Sequence, residues 1–147
     1  MTPVEHDFIA RHRVARLATA NVDGQPHVIP VCYALDGGVI YSMLDLKPKR
    51  IQILKLKRVR NILENPSVSL VIDDYMEDWN LLSYVLVMGT ASLIQSGREQ
   101  QRATRLLREK YSQYRTLLTD TAPALRIAVE RVITWGAVNS VSRERKV

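Results

Sequence analysis

Cysteine is nearly absent from this chain of 147 residues, where Cys32 stands alone. An internal disulfide is excluded, and so is a zinc site built on paired cysteines. A reducing, cytoplasmic home is expected. Histidine is scarce too: His6, His12 and His27 are the whole set, and no two share an element at metal-ligand spacing. No metal site is expected. Nor is there an apolar run long enough to cross a bilayer, the longest, around Tyr84 to Met88, being strand-sized. Met1 to Asp7 lacks the basic-then-apolar order of a secretion signal, so no membrane partner is expected. Also missing are a Gly-x-Ser-x-Gly elbow, a Walker A loop and a Gly-x-Gly-x-x-Gly fingerprint. With no side-chain catalyst in view, any enzyme chemistry would come from a cofactor.

What is present reads as one globular domain spanning residues 1–147. Hydrophobic residues make up 46% and charged residues 24%, which excludes disorder and coiled coil. The net charge of +6 points to an anionic partner without naming it. Thr2-Pro3-Val4-Glu5 carries a capping box with proline at the first helical position, so a short N-terminal helix opens the chain. Residues 14–20, 27–35 and 39–43 then read as strands joined at Asp23-Gly24 and Asp36-Gly37-Gly38, an antiparallel meander. Pro30 inside the second strand demands an edge or a bulge. Residues 50–65 change to helical spacing, with Ile51, Leu56, Val59, Ile62 and Leu63 on one broad side. Strands follow at 67–72, 82–94 and 126–135, the last with a slip in alternation between Val129 and Val132 that predicts a bulge. Ser96 and Glu99 form a second capping box before another helix. Six strands with short antiparallel links and two main helices make an α+β protein, with a small closed barrel favoured over an open sheet.

The strongest local signal is basic. Lys47, Lys49, Arg50, Lys55, Lys57, Arg58 and Arg60 are a third of the 21 cations in the chain. A solvated helix face is the plain explanation. Against it, Arg50, Lys57 and Asn61 fall on one side of the helix, and Lys47-Pro48-Lys49-Arg50 lies where free backbone N–H groups favour an anion. Residues 44–64 contain no aromatic residue on which a base could stack. A compact anion such as phosphate fits better than nucleic acid. Trp79 lies in an acidic loop and Trp135 at the end of the last strand, both poor places to hide a large ring. A planar ligand or a second subunit would cover them. Ser42 is either an ordinary strand residue or a phosphate donor near the basic corner.

The order and spacing of several stretches resemble the pyridoxamine 5′-phosphate oxidase-like split β-barrel superfamily. They are Arg16-Leu17-Ala18-Thr19, the run from Asp23 to Val31, the run from Asn61 to Leu70, and Gly89-Thr90-Ala91. Lys47-Pro48-Lys49-Arg50 and the run from Asp73 to Trp79 are similar to one branch, the small deazaflavin (coenzyme F-420) dependent enzymes. The resemblance implies a six-stranded antiparallel split barrel and a homodimer with an isoalloxazine-type cofactor between subunits. It assigns Lys49, Arg50, Lys57 and Arg58, with Lys47 beside them, to the phosphate or tail. Ser42 and Met43 would lie along the ribityl chain, Pro30 and Val31 against the ring edge, and Trp79 and Trp135 over the ring or the dimer seam. The implied function is hydride transfer between F-420, slightly favoured over FMN, and a small unsaturated substrate. The alternative is a carrier or sensor that turns nothing over. The chain lacks a counterpart of the oxidase's C-terminal substrate-phosphate segment, so vitamin B6 is not the expected substrate.

Overall fold

In the computed structural model, which describes residues 1–44 and 50–139, the first helix, α1 (Pro3–Arg11), starts as its sequence dictates. The Thr2 hydroxyl accepts from the Glu5 N–H, and the Glu5 carboxylate accepts from the Thr2 N–H at 2.7 Å. Phe8 and Ile9, fully buried, fix α1 to the core. There follow β1 (Ala15–Ala20), β2 (Pro26–Val31), β3 (Ala34–Asp36), β4 (Val39–Met43), a 3-10 helix (Arg50–Lys55), α2 (Lys57–Glu64) and β5 (Ser67–Asp74). The chain continues through a short 3-10 turn at Trp79–Leu81, then β6 (Ser83–Ile94), α3 (Arg98–Lys110), α4 (Tyr114–Leu117) and β7 (Ala124–Gly136).

The strand order is β2-β1-β5-β6-β7-β4-β3, with every neighbouring pair antiparallel. The sheet has seven strands rather than the six expected, because the predicted strand 27–35 divides at Cys32-Tyr33 into two opposite edges. The cause is a side chain standing in for a strand partner. The Tyr111 hydroxyl accepts from the Tyr33 N–H at 3.0 Å and lies 2.8 Å from the Tyr33 carbonyl oxygen. The sheet is not closed, since no ladder among the described residues joins β2 to β3. Two residues nevertheless tie those edges together, so Val31 and Ala34 lie at most about 11 Å apart and the sheet must curl. As the outermost strand, β2 accommodates Pro30, which pairs with Arg16.

The spine is the β6–β7 ladder. Its register shifts between Met88 and Gly89, leaving Glu130 as the extra residue in the bulge foreseen between Val129 and Val132. Gly89 is obligatory there: a Cβ would sit 2.2 Å from the Ala128 carbonyl oxygen. The first two-thirds of β6 carry β5, β1 and β2, while β4 and β3 add to the N-terminal half of β7. The main core fills the curl with Leu17, Ile40, Leu70, Ile72, Val85, Val87 and Ile127. A smaller core lies between α3 and the other face of β4, where Tyr41 and Met43 meet Ala103, Leu107 and Leu118.

Two helix expectations need correction. Residues 50–65 do not form one helix, because Leu56 is extended at φ −63° and ψ 128°. Ile53 and Ile62 are 5% and 3% exposed, yet nine residues of continuous helix would place them about 180° apart. The break lets both reach the core. Asn61 consequently points inward, 1% exposed, and donates to Thr19 Oγ1 at 3.0 Å rather than converging with Lys57. The second capping box does not form either. Gly97 caps α3 without a side chain, and Glu99 instead accepts from Tyr41 and from Arg126, both at 2.7 Å.

Candidate functional site

β6 runs between two contrasting regions. At its start, Tyr84 pairs with Trp135 across the ladder, and their rings stack 5.6 Å apart at 17°. Trp135 keeps 51% of its surface exposed and Trp79, in the β5–β6 loop, keeps 72%. Tyr75 and Met76 stand exposed in the same loop. The loop is held by its own charges, with Arg16 bonded to Asp73 and His12 Nε2 2.9 Å from Asp74. His12 Nδ1 faces the Phe8 carbonyl at 2.7 Å, so α1 and β5 are clasped through one ring. Asp78 caps the Trp79 turn by accepting from the Asn80 N–H at 3.0 Å. Gly136 permits the strand end to approach Leu82, since a Cβ there would lie 2.0 Å from the Leu82 carbonyl oxygen. The result is a flat aromatic surface on a fixed support.

At the far end of β6 lies the basic corner. Arg50 opens the 3-10 helix, and Lys57 and Arg58, half-buried, begin α2. Lys47 and Lys49 lie outside the described residues. Ile53 and Leu54 of the 3-10 helix, with Leu93, Gln95, Ser96, Thr121 and Pro123, line a cavity of about 350 Å³. Ser42 and Met43 sit opposite Leu125 and Ala124 of β7, on this same half of the sheet. Both are 3% exposed. The Ser42 hydroxyl donates to the Cys32 carbonyl at 2.8 Å, and Met43 packs in the smaller core. Pro30, exposed, and Val31, 8% exposed, belong to the other half, beside Arg16 and Ala15 of β1.

The fold therefore gathers the named residues into two sets. Trp79 and Trp135, with Pro30 and Val31 on the same half, lie toward the start of β6. Lys57, Arg58, Ser42 and Met43 lie toward its end. The curl brings the sets closer than the ladder alone would. The Ser42 hydroxyl is bonded to the carbonyl of Cys32, the residue after Val31, and Asn61, one turn on from Lys57, reaches Thr19 of β1.

Sequence patterns alone missed the joint between the halves. Tyr33 is fully buried, and its hydroxyl donates to the Ile9 carbonyl at 2.5 Å. The Lys110 ammonium nitrogen lies 4.2 Å from the centre of the Tyr33 ring and 5.6 Å from that of Tyr111. Its nitrogen is buried without a hydrogen-bond partner among the described residues. Burial first, and the nearby Arg13 second, push the Lys110 amine down to about 8, while burial pushes the Tyr111 hydroxyl up to about 12. A lysine in the last turn of a helix is too common to have signalled this. At the basic end, burial and then the Glu99 hydrogen bond push the Tyr41 hydroxyl up to about 12. The Tyr41 and Arg126 hydrogen bonds hold the Glu99 carboxyl below its usual range. Among the described residues no three His, Cys, Asp or Glu side chains cluster as a metal site, and no helix is long and apolar enough to cross a membrane.

Comparison with known proteins gives three kinds of match. The family described as pyridoxamine 5′-phosphate oxidase matches residues 1–136. A 5a,11a-dehydrotetracycline/5a,11a-dehydrooxytetracycline reductase of Streptomyces rimosus is 25% identical over 145 residues, covering 96% of this chain and 87% of that protein. Among solved structures, an FAD-binding protein of Mesorhizobium loti superposes with a TM-score of 0.66 at 23% identity, covering 91% of this chain and 92% of that one. The heme storage protein HutZ of Vibrio cholerae superposes at 0.69 and 15% identity, covering 88% and 89%. At these identities the two structures show the fold alone.

Proposed function

Because the chain belongs to the pyridoxamine 5′-phosphate oxidase family, we propose that it is an oxidoreductase working through a flavin-type coenzyme, with F-420 favoured over FMN. Such a coenzyme supplies hydride transfer to or from a small unsaturated substrate. The protein's part is to bind, orient and keep water away. Lys57 and Arg58 of α2, with Arg50, Lys47 and Lys49 before them, hold the phosphate or anionic tail by charge-assisted hydrogen bonds. Ser42 and Met43 support the chain between phosphate and ring from beneath. Pro30 and Val31 border the ring edge, and Trp79 and Trp135 give the ring a flat, dry cover. The relative in Streptomyces rimosus is a reductase of dehydro compounds, which supports transfer from coenzyme to substrate. The surplus of cations over what one phosphate needs supports F-420, whose tail is a polyglutamate.

The observation that carries this reading is that Trp79 and Trp135 stand exposed at the start of β6, while the basic corner opens toward its end. A homodimer, with the tryptophan end of one subunit covering the basic corner of its partner, brings them together. The exposed Trp79, Trp135, Tyr75 and Met76 supply the apolar surface that an obligate interface needs. The curled but open sheet is read as a split barrel on the same grounds.

Absorbance spectra of the purified protein, before and after addition of each coenzyme, test the reading, with light scattering alongside. A dimer whose bound coenzyme shows a perturbed spectrum is expected. A monomer at micromolar concentration with unperturbed spectra would refute it. One observation favours a second reading, a carrier that performs no turnover. Asp73 and Asp74, the acids at the base of the tryptophan loop, are already bonded to Arg16 and His12. Coenzyme bound tightly but never oxidised or reduced by any unsaturated substrate would select the carrier.

A further inference from the structure

A larger cavity, of about 690 Å³, lies on the other side of Gln95, Ser96 and Thr121 from the one beside the basic corner. Its floor is one face of α3, where Gln100, Gln101, Thr104, Arg105 and Arg108 recur at helical spacing. Arg115, Asp120 and Thr121 from the segment between α3 and β7 form the facing wall. This wall is clamped in place from below. Gln100, 3% exposed, donates to the Asp120 carbonyl at 2.9 Å and to the Ala122 carbonyl at 2.8 Å. Arg108 reinforces it by donating to the Asp120 carboxylate at 2.7 Å and to the Leu118 carbonyl at 2.5 Å. The cavity is therefore preformed, and its size is that of a small-molecule site.

Its chemistry is selective. Three guanidinium groups, Arg105, Arg108 and Arg115, line it against two carboxylates, Glu109 and Asp120. Asp120 is engaged by Arg108. Among the described residues neither Arg105 nor Arg115 makes an ion pair within 4.0 Å, and Asp36, whose carboxyl Arg105 helps hold low, is already bonded by Arg102. Amides and hydroxyls of Gln95, Ser96, Gln101, Thr104 and Thr121 complete the lining, and no aromatic residue takes part. A planar ring would find no aromatic side chain to stack on. Two guanidinium groups without carboxylate partners, set among neutral hydrogen-bonding groups, suit a compact oxyanion with a polar body.

We propose that this cavity is a second ligand site, separate from the coenzyme site, for a small non-aromatic oxyanion with a phosphate or carboxylate head. Arg105 and Arg115 grip the head, Arg108 holds the wall, and the neutral side chains bond the body. The proposal does not depend on the coenzyme reading, since its arginines take no part there, although Gln95, Ser96 and Thr121 border both cavities.

The test is titration of the coenzyme-free protein with sodium phosphate and, separately, sodium citrate, each against sodium chloride at matched ionic strength. Binding is followed by calorimetry and by amide chemical shifts of α3. Saturable binding of at least one anion is expected, with shifts at Gln101 and Arg105, and the preferred anion identifies the head group. Arg105→Ala and Arg115→Ala, each at an exposed position, should weaken it about tenfold apiece, the loss of one charge-assisted hydrogen bond. Arg98→Ala, at the start of α3 and outside the cavity lining, should leave it unchanged. Lys57→Ala, which acts at the phosphate-holding corner, should leave the α3 shifts in place. Arg115→Lys should recover only part of the affinity, because the fork geometry is lost. The proposal is overturned if neither anion saturates with α3 shifts, if both arginine variants bind like the parent, or if Lys57→Ala abolishes the α3 shifts.

Discussion

The two ends of β6 are built from the same ladder and show opposite surfaces. At the start, aromatic rings lie open to solvent with the nearby charges tied off beneath them: Trp79, Trp135 and Tyr75 above, Arg16–Asp73 and His12–Asp74 below. At the end, the apolar residues are covered by α3 and the surface is charged. Tyr41, Glu99 and Arg126 form one network there, Arg102 and Asp36 another, and cavities open among polar side chains. The exposed aromatic side chains, Trp79, Trp135 and Tyr75, all lie at one end, while the apolar groups left open at the charged end are single aliphatic side chains such as Leu54 and Leu117. On the proposed reading the exposed tryptophans are covered by a second subunit, whereas a polar cavity with a clamped wall needs only a ligand.

The largest expected effect breaks the aromatic end. Gly136, at φ +79° with the Leu82 carbonyl in the way of any Cβ, should not tolerate alanine. Gly136→Ala should lose roughly 3 kcal/mol of stability in denaturant unfolding. Anion titration of α3 should survive it wherever the protein remains folded. Loss of both together would mean that the two ends are not independent.

The second effect concerns the joint. The Lys110 amine stands at about 8 in the folded chain against an ordinary 10.5. Between those values the unfolded chain takes up the proton first, so stability falls as the pH drops from about 10.5 to about 8. Below that the contribution is constant. Lys110→Met keeps the packing and removes the buried charge. It should gain on the order of 2 kcal/mol at pH 7, a figure below that of the whole shift because the side chain keeps some contact with water. A variant whose unfolding keeps the parent's slope across that window would remove Lys110 from the joint.

Coenzyme affinity sharpens the comparison further. Trp79→Ala and Lys57→Ala act at opposite ends of one chain, yet each should weaken coenzyme binding by about tenfold or more. Each should change stability by no more than about 0.5 kcal/mol. A mixed dimer carrying one variant per chain should then contain one intact site and one doubly impaired site, if each site takes its tryptophan from one chain and its lysine from the other. Two equally impaired sites would place both residues in the same half-site. The smallest effect is the control: Arg98→Ala, exposed at the start of α3, should alter neither stability nor affinity beyond about 0.5 kcal/mol.

Much of this was legible in the chain itself. The α1 capping box, the turn at Asp23-Gly24, the bulge near Val129 and the edge position of Pro30 are local. Each follows from the φ a residue can adopt, the N–H it lacks, or a side chain within four positions. The basic cluster and the two awkwardly placed tryptophans were equally plain. Other features were not, because their causes lie far off in sequence. Tyr111 splits a predicted strand at Tyr33 from a distance of 78 positions. Glu99 leaves a capping role for Tyr41 and Arg126, 58 and 27 positions away. The break at Leu56 answers to the shared core that Ile53 and Ile62 must both reach.

Short-range sterics and composition are enough for the α+β class, the run of antiparallel strands, the basic cluster and the aromatic loop, and all four can be read from the chain without its fold. Only the tertiary structure decided that β2 and β3 become opposite edges of one curled sheet. It also decided that Asn61 turns inward, and that Ser42 meets the chain just after Val31. It decided as well that α3 and the chain before β7 enclose a polar cavity. Those outcomes depend on which distant groups compete for the same hydrogen bond or the same core volume, and that competition exists only after the chain has folded.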